Sequence, residues 1–285
     1  MSQPLDVRLA AWIGRSTTST DIVTRAMVDG LLALLDHDTP VTAGSEAPQG
    51  IHWLCATTRI RARDIGADGH PHHGLILPPV DLPRRMWAGS AIEFVRPLRQ
   101  GDAVERRSTI RAITPKSGST GPLVFVELDH EIRANDAIAV HERHTIVFRH
   151  PPELSGHGKR EGRPEEPMGE APAFARTVAP DPVMLFRYSA LTFNSHRIHF
   201  DHPYVTQSEG YPGLVVHGPL IATLLLDLVA GHHGSNALKT FSFRGLAPAF
   251  ANEPLALQAF PRPGGVHLRA VSGDGRLVVT AEAAF

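Results

Sequence analysis

Apolar positions along the chain change period twice, from helix-like to strand-like spacing and then again in the same order. Over residues 17–36, Ile22, Val23, Met27, Leu31, Leu34 and Leu35 recur at helical intervals, which predicts a helix capped by Thr20 or Asp21. Residues 64–83 are dominated by glycine, proline and histidine and read as loop. Four strand-like runs follow at 85–94, 102–114, 123–134 and 137–149. Alternation is clearest at Val124, Val126 and Leu128 and again at Ile138 and Val140. Gly101-Asp102, the cluster at 116–121 and Asn135-Asp136 supply turns between them, so the four predict an antiparallel meander.

Residues 150–173 break this pattern, being rich in proline, glycine and charge with little to bury, and read as a linker. Beyond it the order repeats. A short strand is predicted at 174–179 and an apolar strand at 184–192. A polar loop, a helix at 218–228 and four strands at 238–246, 255–260, 266–272 and 276–284 come next. Gly264-Gly265 and Gly273-Asp274-Gly275 mark the last hairpin turns. The 218–228 helix is apolar nearly all round, through Leu220, Ile221, Leu224, Leu225, Leu226 and Leu228, and so requires burial on every side. Pro219 suits its first turn, where a missing N–H costs nothing. One helix plus one meander, twice, predicts an α+β protein of two similar units, residues 1–149 and 174–285, joined by the linker.

Composition narrows the classes. The formal net charge over 285 residues is −1, without the basic excess of a nucleic-acid or membrane-surface binder. Cys55 is the single cysteine, which excludes an internal disulfide and suits a reducing compartment. The N-terminal residues carry no basic-then-apolar leader pattern. The longest apolar run, 214–230, is interrupted by His217, Gly218, Pro219 and Asp227. A cytoplasmic protein is therefore expected. No phosphate-binding glycine motif or serine-hydrolase elbow is present. His70, His72 and His73 lack a second ligand cluster at metal-site spacing, so neither a metal nor another cofactor is expected.

Chemistry concentrates at residues 187–201, RYSALTFNSHRIHFD, followed by VVHGPL at 215–220. Acid–base side chains there precede a helix whose free N-terminal N–H groups can hold a developing negative charge. That layout suits addition or removal of water beside a carbonyl. His199 is the candidate base, because imidazole titrates near neutrality. Asn194 can orient a water but cannot carry a proton. His196, Asp201 and His217 are candidate supports, and Asp201 serves equally as a helix cap.

The same residues resemble the MaoC-like, R-specific enoyl-CoA hydratase family, and its hot-dog fold is the long buried helix wrapped by a curved sheet that the pattern predicts. The resemblance places the catalytic histidine on His199 and the oxyanion-hole glycine on Gly218. The usual catalytic aspartate falls on Asn194. The branch of mesaconyl-C4-CoA and itaconyl-CoA hydratases and mitochondrial 3-hydroxyacyl-thioester dehydratases resembles the chain more fully. It shares the SALTFNxHRIH run, LPPVDLPRRMWAG at 77–89, and a form of SGxLVFVxxxHEI at 119–132 with one extra residue. The resemblance implies a double hot-dog protein that acts on an α,β-unsaturated acyl-CoA, as a homodimer. A branched, C4-linked dicarboxyl-CoA is the favoured substrate; a straight-chain 3-hydroxyacyl thioester, a thioesterase activity and acyl-CoA binding without turnover are the alternatives. Only the second unit carries the motif, leaving the first to bind substrate. Arg84, Arg85, Trp87 and Arg197 are candidates to bind acyl group or CoA, since arginine clamps carboxylates and phosphates bidentately.

Overall fold

A computed structural model describes residues 6–118, 121–150 and 171–285. Most of the 150–173 linker, residues 151–170, lies outside the described residues. In chain order the elements of the first half are α1 (Val7–Ala10), β1 (Ser16–Ile22), α2 (Arg25–Leu34), β2 (Arg84–Phe94), β3 (Ala103–Gly118), β4 (Gly121–Ala134) and β5 (Ala137–Arg149). The second half contributes β6 (Phe174–Val178), α3 (Pro182–Thr192), α4 (His202–Gln207), α5 (Gly218–His233), β7 (Thr240–Gly245), β8 (Leu255–Arg262), β9 (Gly265–Ser272) and β10 (Leu277–Ala284). Short 3₁₀ turns occupy Ile51–Trp53, Ala62–Asp64 and Arg197–His199.

All ten strands form one antiparallel sheet in the order β1-β3-β4-β5-β2-β7-β10-β9-β8-β6. Counted outward from the β2–β7 seam, each half runs second, fifth, fourth, third and first strand, so the two halves share one topology. This is the doubled hot-dog arrangement that the element order predicts. The seam pairs Gly89 with Arg244 and continues to Glu93 opposite Thr240. Gly89 follows a register shift in the pairing of β2 with β5, and on the seam side an added Cβ would overlap the Phe243 carbonyl oxygen, so only glycine admits this approach of the two backbones.

Helix α5 fills the second half. Its residues from Leu220 to Val229 are all buried, and none of its faces reaches solvent over that span. It runs beyond the predicted 218–228 to His233, where Gly234 at φ 89° ends it. Helix α2 is shorter and buries one face through Val28, Leu31 and Leu34.

Two expected elements are different. The predicted 17–36 helix is β1 followed by α2, and the cap is Thr24, whose side chain accepts from the Met27 N–H, rather than Thr20 or Asp21. Ser16 to Ile22 instead pair along β3, where the β-branched threonines of STTST fit an extended ladder. The predicted 184–192 strand is helix α3. Asp181 caps it through the Met184 N–H, Pro182 occupies the first turn, and Leu185, Tyr188 and Ser189 bury one side. Among the described residues no helix is long and apolar enough to cross a membrane.

Candidate active site

Helix α3 ends on Phe193 in the left-handed conformation at φ 52°, with the Asn194 N–H bonded back to the Ser189 carbonyl. This reversal starts the loop 194–201. Asn194 Oδ1 accepts from the His196 N–H at 3.0 Å, an Asx turn that fixes the loop and leaves the Asn194 amide group as a donor.

The Arg197–His199 turn then carries His199 into the interior, where 7% of the residue remains accessible. Its Nδ1 lies 2.7 Å from the Val215 carbonyl oxygen. A carbonyl only accepts, so Nδ1 carries the proton and Nε2 presents its lone pair. Burial pushes the His199 pKa down to about 4, against a smaller upward pull from the Val215 carbonyl. The resting ring is therefore neutral.

His199 stacks on His217, ring centroids 3.6 Å apart and 20° from parallel. His217 is the residue before α5, and its Nε2 lies 2.8 Å from Ser189 Oγ. Burial, then the neighbouring His199 ring, hold its pKa well below the usual imidazole value. Gly218 opens α5 one residue later, and among the described residues no backbone carbonyl accepts from its N–H. The candidate base thus lies against the residue that leads into the amide end of the enclosed helix.

Across this opening stands the first half. A Cβ built on Gly218 would lie 3.9 Å from the Trp87 carbonyl oxygen. Trp87 donates through Nε1 to the Gly89 carbonyl at 3.1 Å and to Ser90 Oγ at 3.0 Å. Arg85 bonds the Pro71 carbonyl at 3.1 Å. Burial lowers its pKa to about 10, with Asp68 opposing.

The other two candidate arginines are already engaged. Arg84 pairs with Glu209 at 2.8 Å and lies over the Tyr211 ring. Arg197 grips Asp201 Oδ2 through Nε at 3.0 Å and Nη2 at 2.7 Å, and also bonds the Ala67 carbonyl. Asp201 caps α4 through the Tyr204 N–H, which, with Arg197, keeps its carboxyl below the usual range.

The 64–74 loop, of which the sequence discloses little beyond its composition, docks directly on the 194–201 loop. The Arg197 N–H donates to the Asp68 carbonyl at 2.9 Å, and Ser195 Oγ bonds the Gly69 carbonyl at 2.5 Å. Gly69 has φ +88°, and an added Cβ would overlap the Ser195 carbonyl oxygen. Asp68 holds His70 Nδ1 at 3.1 Å, and the His70 ring lies 3.9 Å from that of His196. Donor atoms of Asp68, His70 and His196 fall within 4.8 Å of one another. The two rings are in tilted contact, 37° from parallel, and Asp68 already bonds His70, so the group is a carboxylate–imidazole pair lying against a second imidazole. Asp68-Gly69-His70 was the sequence signal: an acid and an imidazole flanking a glycine in a histidine-rich loop.

Fold and site together define a double hot-dog hydro-lyase. Residues 50–251 match the family model of hydroxyacyl-thioester dehydratase type 2, and the chain belongs to that family. It is 43% identical over 272 residues to mesaconyl-C(4)-CoA hydratase of Chloroflexus aurantiacus, covering 95% of each chain. It is 30% identical to the mitochondrial hydroxyacyl-thioester dehydratase type 2 of Schizosaccharomyces pombe, covering 83% of this chain and 87% of that one. A MaoC-like dehydratase of Phytophthora capsici superposes with a TM-score of 0.70 at 16% identity, covering 99% of both chains, a likeness of fold.

Proposed function

We propose that the protein hydrates an α,β-unsaturated acyl-CoA, and that its substrate is a branched, C4-linked dicarboxyl-CoA: mesaconyl-C4-CoA or itaconyl-CoA, giving citramalyl-CoA. The observation that carries the general reading is the buried His199, with Nδ1–H fixed on Val215 and Nε2 free, beside the start of α5. The finer reading is supported by the 43% identity to a mesaconyl-C(4)-CoA hydratase along nearly the whole chain.

Water held over the β-carbon gives its proton to His199 Nε2 as its oxygen bonds that carbon. In mesaconyl-C4-CoA the electron pair of the double bond shifts toward the thioester, whose oxygen becomes an enolate held by the Gly218 N–H and the α5 dipole. That negative charge raises the basicity of His199 at the moment it is needed, offsetting the burial that keeps it neutral at rest. Asn194 orients the water through its amide group. Arg85 pairs with the free carboxylate of the acyl group, since Arg84 and Arg197 are already neutralised by Glu209 and Asp201.

Incubation with mesaconyl-C4-CoA, itaconyl-CoA and crotonyl-CoA tests this. Loss of conjugated absorbance without release of free thiol is expected for the two branched substrates. Thiol release would mean a thioesterase, and no change would mean binding alone. His199→Ala should lower turnover by about 100-fold or more with CoA affinity retained; a variant that keeps most of its activity removes His199 as the base. Arg85→Ala should raise KM for the carboxylated substrate by about 10-fold or more relative to crotonyl-CoA. Equal losses on both would assign Arg85 to the CoA portion.

A further inference from the structure

Hydration needs a second proton, delivered to the α-carbon, and neither Asn194 nor Asp201 is placed to provide it. Asn194 cannot ionise, and its oxygen is committed to the His196 N–H. Asp201 is held by Arg197 and by the α4 cap. Asp68 comes from the other half of the chain, beside the point where the Gly69 carbonyl meets Ser195 Oγ, and its two oxygens accept from the His70 N–H at 3.0 Å and from His70 Nδ1 at 3.1 Å. Asp68 bonds His70 Nδ1, the arrangement that orients an imidazole and stabilises its protonated form. The His70 ring lies on His196, whose ring meets His199 edge-on at 5.4 Å. His70 keeps 23% of its side chain accessible, so it can reload from solvent, whereas His196 is held neutral by burial.

We propose that the Asp68–His70 pair, acting through His196, supplies the proton taken up by the α-carbon. This rests on the hydratase reading. Water oxygen bonds the β-carbon and its proton passes to His199 Nε2. The enolate collapses, its α-carbon takes the N–H proton of His196, and the other His196 nitrogen takes one from protonated His70. His199 returns a proton to solvent and His70 regains one, leaving the enzyme unchanged. Dehydration runs the same steps backward. His196 is thus the catalytic residue, and Asp68 and His70 position and charge it.

The groups that face His70 are Asp68, which accepts from its Nδ1 and its N–H, and the His196 ring; Arg85, His72 and His73 bear in turn on Asp68, and His199, Arg85, His217 and Arg84 on His196. Removing the Asp68 carboxylate destabilises the imidazolium, so His70 loses its proton at lower pH. The basic limb of the hydration rate should then move down.

The test is steady-state hydration by the full-length protein over a pH series. His70→Gln is expected to lower kcat by about 100-fold with KM nearly unchanged. Asp68→Asn should shift the basic limb downward by about one pH unit, and free imidazole should restore part of the turnover of His70→Ala. Full activity in His70→Gln overturns the proposal. So does a loss with an unshifted profile in Asp68→Asn and no imidazole rescue, which would mark the loop as structural support. A wild-type protein that hydrates none of the thioesters overturns the hydratase reading and this assignment with it; an active wild type with an unimpaired His70→Gln overturns this one alone.

Discussion

Helices α2 and α5 hold the same place in the strand order of their halves and feed one apolar core, yet the halves that carry them differ inside. Around α5 the second half is largely apolar, with Leu220, Leu225, Leu257 and Leu268 all fully buried, and Asp227 of the helix is paired with Arg176 at 2.7 Å and with His37 at 2.6 Å. The first half has a helix with one buried face, and its sheet carries a polar layer. There Glu142 accepts from Ser90 Oγ at 2.6 Å and Trp53 Nε1 at 3.2 Å, and His52 Nε2 lies 3.5 Å away. His130 bonds Ser108, its Nε2 lies 3.4 Å from His144, and Trp87 stacks on the His144 ring at 4.0 Å. One topology therefore tolerates either a greasy axle or an interior layered with hydrogen bonds.

The largest effect should come from the polar interior. Burial alone would raise the Glu142 pKa, but the hydrogen bond and charge of His52, with His130 and His144 adding, hold it well below 4.5. Replacing it, as Glu142→Gln, should cost about 3 kcal/mol at neutral pH. The folded carboxylate resists protonation more than the unfolded one, so its stabilisation is complete above pH 4.5 and fades as pH falls through the depressed value. Denaturant titrations from neutral pH downward should show wild type and variant converging; parallel curves would mean that Glu142 is not ionised in the fold. A smaller contrast is expected between the two sides of α2. Leu225→Ala and Leu31→Ala, both fully buried, should each cost about 3–4 kcal/mol, and Leu32→Ala, half-buried on α2, about 1 kcal/mol. Equal midpoint shifts for all three would show that α2 is packed on every side as α5 is.

The sequence reveals most where local chemistry decides structure. Strands β2 to β5 and β7 to β10 were legible because turns punctuate alternating runs, and α5 because it is apolar nearly all round. Strand β1 was not, since STTST has no apolar alternation and becomes a strand through its pairing with β3. In α3 the Asp181-Pro182 start was a cap signal outweighed by an apolar run short enough for a strand. His199, Gly218 and Asn194 were legible as a motif beside a helix start. The engagement of Arg84 by Glu209, and of His196 by His70, was not, because those partners meet only once distant loops have docked.

That docking ties the fates of the two halves together. Three carbonyls, of Ala67, Asp68 and Gly69, receive hydrogen bonds from Ser195 and Arg197, so the motif-bearing loop takes its shape partly from residues belonging to the other copy of the fold. The half without the motif thus acts as a mould for the loop of the half that has it. That mould is least forgiving at Gly69, where the smallest side chain of all would already be one atom too many.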